Sequence, residues 1–185
     1  MKKKKSNRRK IMDATTRLII ERGVHNISLS DIAERVGISK GTLYYYYPSK
    51  SNLIFDITEE HMEHMSQRLL RWVDSIKGEM TSAEILSGVY RKILNDTTRA
   101  KLHIYLMQEA VTANSDLQER FREEYLTWRK VLFTGLQKIL DPAEYDIEIL
   151  SHLVLTSMTG TLIQNMFEIT DIPIDRMVGT LLGKH

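Results

Sequence analysis

The chain contains no cysteine, which excludes a disulfide framework and any thiolate metal site and removes every sign of an oxidising compartment. Three prolines and nine glycines are all that punctuate 185 residues, so long uninterrupted elements are expected. No apolar run approaches the roughly 18 residues that span a bilayer. The basic start MKKKKSNRRK runs into IMDATTRLII rather than the continuous apolar stretch of about 7–15 residues that marks a secretory leader. A cytoplasmic protein with no membrane partner is expected. Also missing are a glycine-rich phosphate loop after a strand, an HExxH pair and a nucleophile–base motif, so no catalytic residue, metal or other cofactor is assigned and an enzyme is disfavoured.

What is present is ordinary for a globular chain, with 42% hydrophobic and 27% charged residues, but the charge is unevenly placed. Residues 1–55 hold 12 Lys and Arg against 4 Asp and Glu, a net of +8, while the remainder, with 14 against 20, carries −6. Such asymmetry suggests a small basic module that meets a polyanion, joined to an acidic body that does not. The alternative is a solvated basic tail, since five of those positive charges lie in the first eight residues.

Apolar residues recur at spacings of three and four, as in Ile11, Ala14, Leu18 and again in Leu102, Leu106, Ala110, and nothing alternates convincingly as a strand. The fold class is therefore all-α with about nine helices and no sheet. The first runs from Ser6 to Arg22 and ends on Gly23; Ser28 caps a second reaching Val36; Ser39 caps a third that must stop before Pro48, because the residue ahead of a proline is pushed out of helical geometry. A long fourth helix spans Ser49–Ile76, and others are expected at 82–97, 99–112, 116–140, 144–168 and 174–182, with a break at Gly78.

Within SLSDIAERVGISKGTLYYYY two short helices flank the turn VGIS. Ile32, Val36, Ile38 and Leu43 would form their shared apolar seam, Ala33 is small where they cross, and Gly37 can take the positive φ of a tight turn. This is a helix-turn-helix pattern. With Leu43 at 0° and about 100° per residue, Tyr47 falls near 40° and Tyr46 near −60°, while Tyr44, Gly41, Tyr45 and Thr42 lie at about 100–260°. Tyr47 should then be core, Tyr46 a boundary residue, and Tyr44 and Tyr45 outward. Outward tyrosines on a basic module suit DNA, where hydroxyls donate to phosphate oxygens and rings pack on sugars or a thymine methyl; the alternative is that they seal a protein interface. Lys40 and Lys50 stand at helix starts that already favour an anion.

The block resembles the DNA-binding segment of the TetR family of bacterial transcriptional repressors, matching its pattern at Gly23, Ser28, Ile32-Ala33, Gly37-Ile38-Ser39, Gly41-Thr42-Leu43-Tyr44, Tyr46-Tyr47 and Lys50. Tyr47 stands where the family usually has Phe, Ser28 where Thr is commoner, and Ile19 where an aromatic often sits. The resemblance implies DNA contacts from Lys40, Gly41, Thr42, Tyr44, Tyr45, Tyr46 and Lys50, with Ser28 and Ser39 as cap contacts, and base reading by Lys40, Thr42 and Tyr45. It further implies a DNA-binding domain at 1–47 and an effector-binding and dimerising helical domain at 48–185. The whole would be a ligand-responsive regulator, a repressor by family habit, bound as a homodimer to a pseudo-palindromic double-stranded operator and released by a small-molecule effector. A nonspecific DNA-coating protein is the alternative, which the acidic body opposes.

In that body the candidates for an effector pocket are Tyr90, His103, Met107, Tyr125, Trp128, Phe133, Met158 and Gln164, although such a stripe is also what plain core looks like. In SHLVLTSMTGTLIQNMF, Leu153, Ser157, Gly160, Thr161 and Gln164 are candidates for a dimer surface. Small residues allow helices close approach, and the same strip could pack within one subunit. EEHMEH puts Glu60, His61 and His64 near one another; the two histidines, at i and i+3, could ligate a metal, but no third ligand is evident and the segment reads as a solvated face, while His103 and His152 read as lone structural histidines.

Overall fold

A computed structural model of the chain describes residues 2–76, 80–169 and 171–183, with side chains from residue 7 onward. The described residues form nine helices: α1 (Lys2–Arg22), α2 (Leu29–Val36), α3 (Lys40–Tyr46), α4 (Lys50–Ser75), α5 (Ser82–Leu94), α6 (Thr97–Thr112), α7 (Ser115–Gln137), α8 (Ile147–Met166) and α9 (Ile174–Leu181). The all-α expectation holds among them. Gly78 lies outside the described residues.

Helix ends follow polar chemistry at the caps. Gly23 ends α1 at φ 78° and Gly37 ends α2 at φ 74°, the left-handed geometry that costs a side-chain-bearing residue about 1–2 kcal/mol. Ser28 and Asp31 form a reciprocal capping box at the start of α2, and the Ser39 hydroxyl accepts from the Thr42 N–H at 3.1 Å at the start of α3. Where the apolar period alone set a boundary, the caps move it. α5 stops at Leu94 rather than 97 because Asp96 accepts from the Arg99 N–H at 3.2 Å and opens α6. α8 starts at Ile147 rather than 144 because Asp146 accepts from the Ile149 N–H at 3.0 Å.

The chain divides into two compact units, one of residues through Glu63 together with Lys101–Phe121, the other of His64–Ala100 together with Arg122 onward. In the first, Ile11, Leu18, Ile19, Ile32, Leu43, Leu53 and Ile54 are buried, so the seam between α2 and α3 closes on Ile32 and Leu43; Val36 and Ile38 are half-buried. Here α6 reaches the turn after α1: a Cβ on Gly23 would stand 3.4 Å from the Tyr105 ring, and His25 Nε2 lies 3.4 Å from Glu109 Oε2. In the second, Leu86, Leu132, Leu136, Val154 and Val178 are buried, and Gly135 of α7 packs against the indole ring of Trp72 from α4.

Candidate nucleic-acid interface

The third helix is the site's frame. Ser39 fixes its first turn, and at its other end the Tyr47 N–H donates to the Leu43 carbonyl at 2.9 Å before Pro48 breaks the run. Along it the four tyrosines separate as the 100° step predicts. Tyr44 and Tyr45 are 52% and 68% exposed, Tyr46 is half-buried, and Tyr47 is 2% exposed. Tyr45 and Tyr46 meet edge to face with centroids 5.3 Å apart, so the outward ring is braced by its neighbour.

Lys40 and Gly41 are exposed beside those rings, and Lys50 is half-buried at the first turn of α4; neither lysine is in an ion pair among the described residues. Thr42 is half-buried, its hydroxyl 2.9 Å from that of Ser39. The Ser28 hydroxyl is committed to Asp31 at 2.5 Å. Ser28 and Ser39 thus act first as caps.

Three of the arginines counted in the first 55 residues are paired within the protein. Arg35 makes a two-pronged pair with Glu21 at 2.8 and 3.1 Å, which holds the Glu21 carboxyl below its ordinary range. Arg9 pairs with Asp13 at 3.0 Å and with Glu60 at 2.6 Å. Arg8 donates from Nε to the Tyr47 hydroxyl at 3.1 Å and pairs with Asp56, whose carboxylate is the main reason the guanidinium is held more firmly protonated than usual. Burial pushes the Tyr47 phenol up to about 12. Sequence reasoning missed this network, although a tyrosine at an expected phenylalanine position was the signal for it: a buried hydroxyl asks for a partner.

The histidines correct the sequence reading. His61 lies inside rather than on a solvated face, 1% exposed, with Nε2 3.0 Å from Nδ1 of His103. His61 continues the inward stripe of Ile54, Ile57 and Thr58 at spacings of three and four, which the charged residues around it obscured. His103 is thus not lone; its ring also lies 5.4 Å from that of Phe121, and burial pushes it down to about 4. Among the described residues no group of three or more His, Cys, Asp or Glu could hold a metal ion, and no helix is long and apolar enough to cross a membrane.

The pocket candidates fall in both units. Tyr90 is buried, with its hydroxyl 2.5 Å from that of Ser157; Trp128 is buried and donates to Ser66 at 2.8 Å; Tyr125 lies 5.1 Å from the Trp128 ring. Met158 is buried, Phe133 half-buried and Gln164 exposed in the same unit, whereas His103 and the half-buried Met107 belong to the other. An open groove of about 800 Å³ in the second unit is lined by Arg68, Arg71, Trp72, Asp74, Ser75 and Lys92, and by none of the candidates.

On α8, Thr161 is 2% exposed and the Ser157 hydroxyl is turned to Tyr90, so both face their own subunit. Leu153 and Gln164 are exposed and Gly160 is half-buried, and they share a face with the exposed Ile149, Ile163 and Phe167, all within about 100° of one another on a helical wheel.

Residues 11–57 match the family model for bacterial regulatory proteins of the tetR family. The fatty acid metabolism regulator protein of Bacillus subtilis is 32% identical over 92 residues, which make up 50% of this chain and 46% of that one, so the match spans about half of the relative's length. An uncharacterized HTH-type transcriptional regulator of the same organism is 28% identical over 167 residues, 87% of this chain and 78% of that one. Among solved structures, a putative transcriptional regulator from Saccharomonospora viridis in complex with choline superimposes with a TM-score of 0.79 at 20% identity, covering 97% of this chain and 95% of that one.

Proposed function

From the match of residues 11–57 to the tetR family of bacterial regulatory proteins, we propose that the chain is a member of that family and a cytoplasmic, ligand-responsive transcriptional repressor. In this reading residues 1–47 bind a pseudo-palindromic operator, and 48–185 dimerise and take up a small effector. The observation that carries it is the outer face of α3, where Lys40, Gly41, Tyr44 and Tyr45 stand exposed on a helix capped at both ends. A face of that kind can enter a major groove. Lys40, Thr42 and Tyr45 read bases; Tyr44, Tyr46 and Lys50 hold phosphates.

The exposed apolar face of α8 supports a homodimer, which would hold two reading helices at a fixed spacing and multiply the affinity of each. Replacing Leu153 by Glu should leave the fold intact and shift the protein to monomers, read by light scattering after size exclusion; unchanged dimers would place the interface elsewhere.

Effector release follows if the ligand prefers a form whose reading helices are wrongly spaced, and its reach is limited to that difference in affinity. The contacts of Tyr105 and Glu109 with the turn after α1 support α6 as a route to the DNA-binding helices. Tyr90, Tyr125, Trp128 and Met158 supply the apolar surface and hydroxyls such a ligand would meet, and the choline complex of the similar Saccharomonospora protein supports a small-molecule effector for this fold.

The decisive experiment compares binding to a duplex selected from a random pool with binding to random duplex across salt concentrations. Tyr45→Ala should lose roughly tenfold or more on the selected duplex, since one base contact contributes about 1–3 kcal/mol, and little on the random one. Equal affinity of the unaltered protein for both duplexes would sink the repressor reading.

A further inference from the structure

Arg8, Tyr47 and Asp56 come from α1, the residue that closes α3, and the early turns of α4. All three belong to the first unit. The Arg8 guanidinium donates to the Tyr47 hydroxyl at 3.1 Å and to Asp56 Oδ2 at 3.2 Å from Nε, and its Nη2 closes on the same carboxylate oxygen. Its carbon also lies 5.5 Å from the centre of the Tyr47 ring, within the range of a cation–π contact. One arginine thus ties the end of the reading helix to the helices before and after it.

The ring and the hydroxyl of Tyr47 have separable tasks. The ring fills core at 2% exposure, which a phenylalanine would also do. The hydroxyl is a polar group beyond what the core needs, and it stands one residue beyond Tyr46 at the last hydrogen-bonded turn of α3. Fixing it fixes the end of the short helix that carries Lys40, Tyr44 and Tyr45.

We propose that the Tyr47 hydroxyl, held by Arg8 and Asp56, is a positioning group for operator binding that sets how α3 is presented from α1 and α4. The proposal rests on the reading of α3 as the DNA-contacting helix. Arg8, which charge counting would send to a phosphate, is committed instead to a protein carboxylate. Because its side chain is 57% exposed, the pair adds little to stability, and its value lies in orientation. A positioning group has a signature distinct from that of a phosphate ligand: it changes affinity for the selected sequence without changing the number of counterions released.

The test uses the full chain, an operator selected with the unaltered protein, and the variants Tyr47→Phe and Asp56→Asn. Affinity is measured over a salt series beside thermal melts. Tyr47→Phe should melt within about 2 °C of the unaltered protein and bind the selected duplex roughly five- to tenfold more weakly at every salt concentration, as expected for loss of preorganisation in the reading helix. The slope of log K against log salt and the affinity for random duplex should not move. Asp56→Asn should weaken binding in the same way, and the double variant should lose less than the product of the two single losses.

Binding by Tyr47→Phe within twofold of the unaltered protein would overturn the proposal. So would a melting loss large enough to account for the weaker binding, or a slope that changes by about 0.9 or more, which would mean that the variant alters phosphate neutralisation rather than helix presentation. If the unaltered protein selects no sequence, the DNA-reading function fails and the proposal with it; if it selects one and Tyr47→Phe binds it equally, only the positioning role fails.

Discussion

Gly135→Val is expected to lower the melting temperature by about 6–12 °C, a loss of roughly 3 kcal/mol for a chain of this size. Gly135 faces Trp72, and a Cβ there would stand 2.4 and 2.6 Å from two atoms of the indole ring and 3.1 Å from a Val73 methyl. Real Cβ atoms do not come that close, so α7 must back away or the ring must turn. Trp72 is 7% exposed and Val73 6%, which leaves the ring little room to turn. Gly135→Ala separates the causes: its helix propensity exceeds that of glycine by about 1 kcal/mol, so a net loss even with alanine isolates the clash. Thermal unfolding followed by circular dichroism checks both, and a valine variant as stable as the unaltered protein would show that the approach of α7 to α4 is looser than described.

The second large effect is on acid stability. His103 is buried and held neutral, its pKa pushed down to about 4 from an unfolded value of about 6.5. Between those values the unfolded chain binds a proton that the folded chain refuses, so stability rises with pH over this window and falls as pH drops through it. The contribution is fully present above about pH 6.5 and declines by as much as ~1.4 kcal/mol per pH unit down to about pH 4. Carboxylates also titrate there, so the diagnostic quantity is a difference. A His103→Asn variant, which retains a hydrogen-bonding side chain toward His61, should show a shallower fall in melting temperature between pH 7 and pH 4.5. Parallel curves would show that His103 carries no proton-linked term.

How much of this was legible in the sequence depended on how far apart the interacting residues lie. The cap at Ser39, the capping box of Ser28 with Asp31 and the left-handed Gly37 involve residues within a turn of one another, where chemistry and spacing appear together in the text of the chain. The tyrosines separated correctly because four consecutive positions on one helix have fixed relative phases. By contrast, His61 and His103 are 42 positions apart and Arg8 and Asp56 are 48 apart; no periodicity links such pairs, and only the packing of helices brings them together. The +8 of the first 55 residues misled for a related reason, since a count that stops there leaves out Asp56 and Glu60, the carboxylates that Arg8 and Arg9 face. On α8 the small residues drew attention because composition is visible. The exposed Ile149 and Ile163 were passed over because an apolar residue in a helix reads as core until a fold shows otherwise.

The two tryptophans, Trp72 against Gly135 and Trp128 against Ser66, both lie in the second unit, and the first has none. Indole fluorescence therefore reports on one half of the molecule alone. Excited beyond the tyrosine absorption band, the protein's emission should respond to ligands and unfolding in the helical body, while changes at the tyrosine-bearing reading helix pass unseen. A titration in which operator DNA shifts that emission would thus be an optical readout of communication from one unit to the other, obtained without attaching a label.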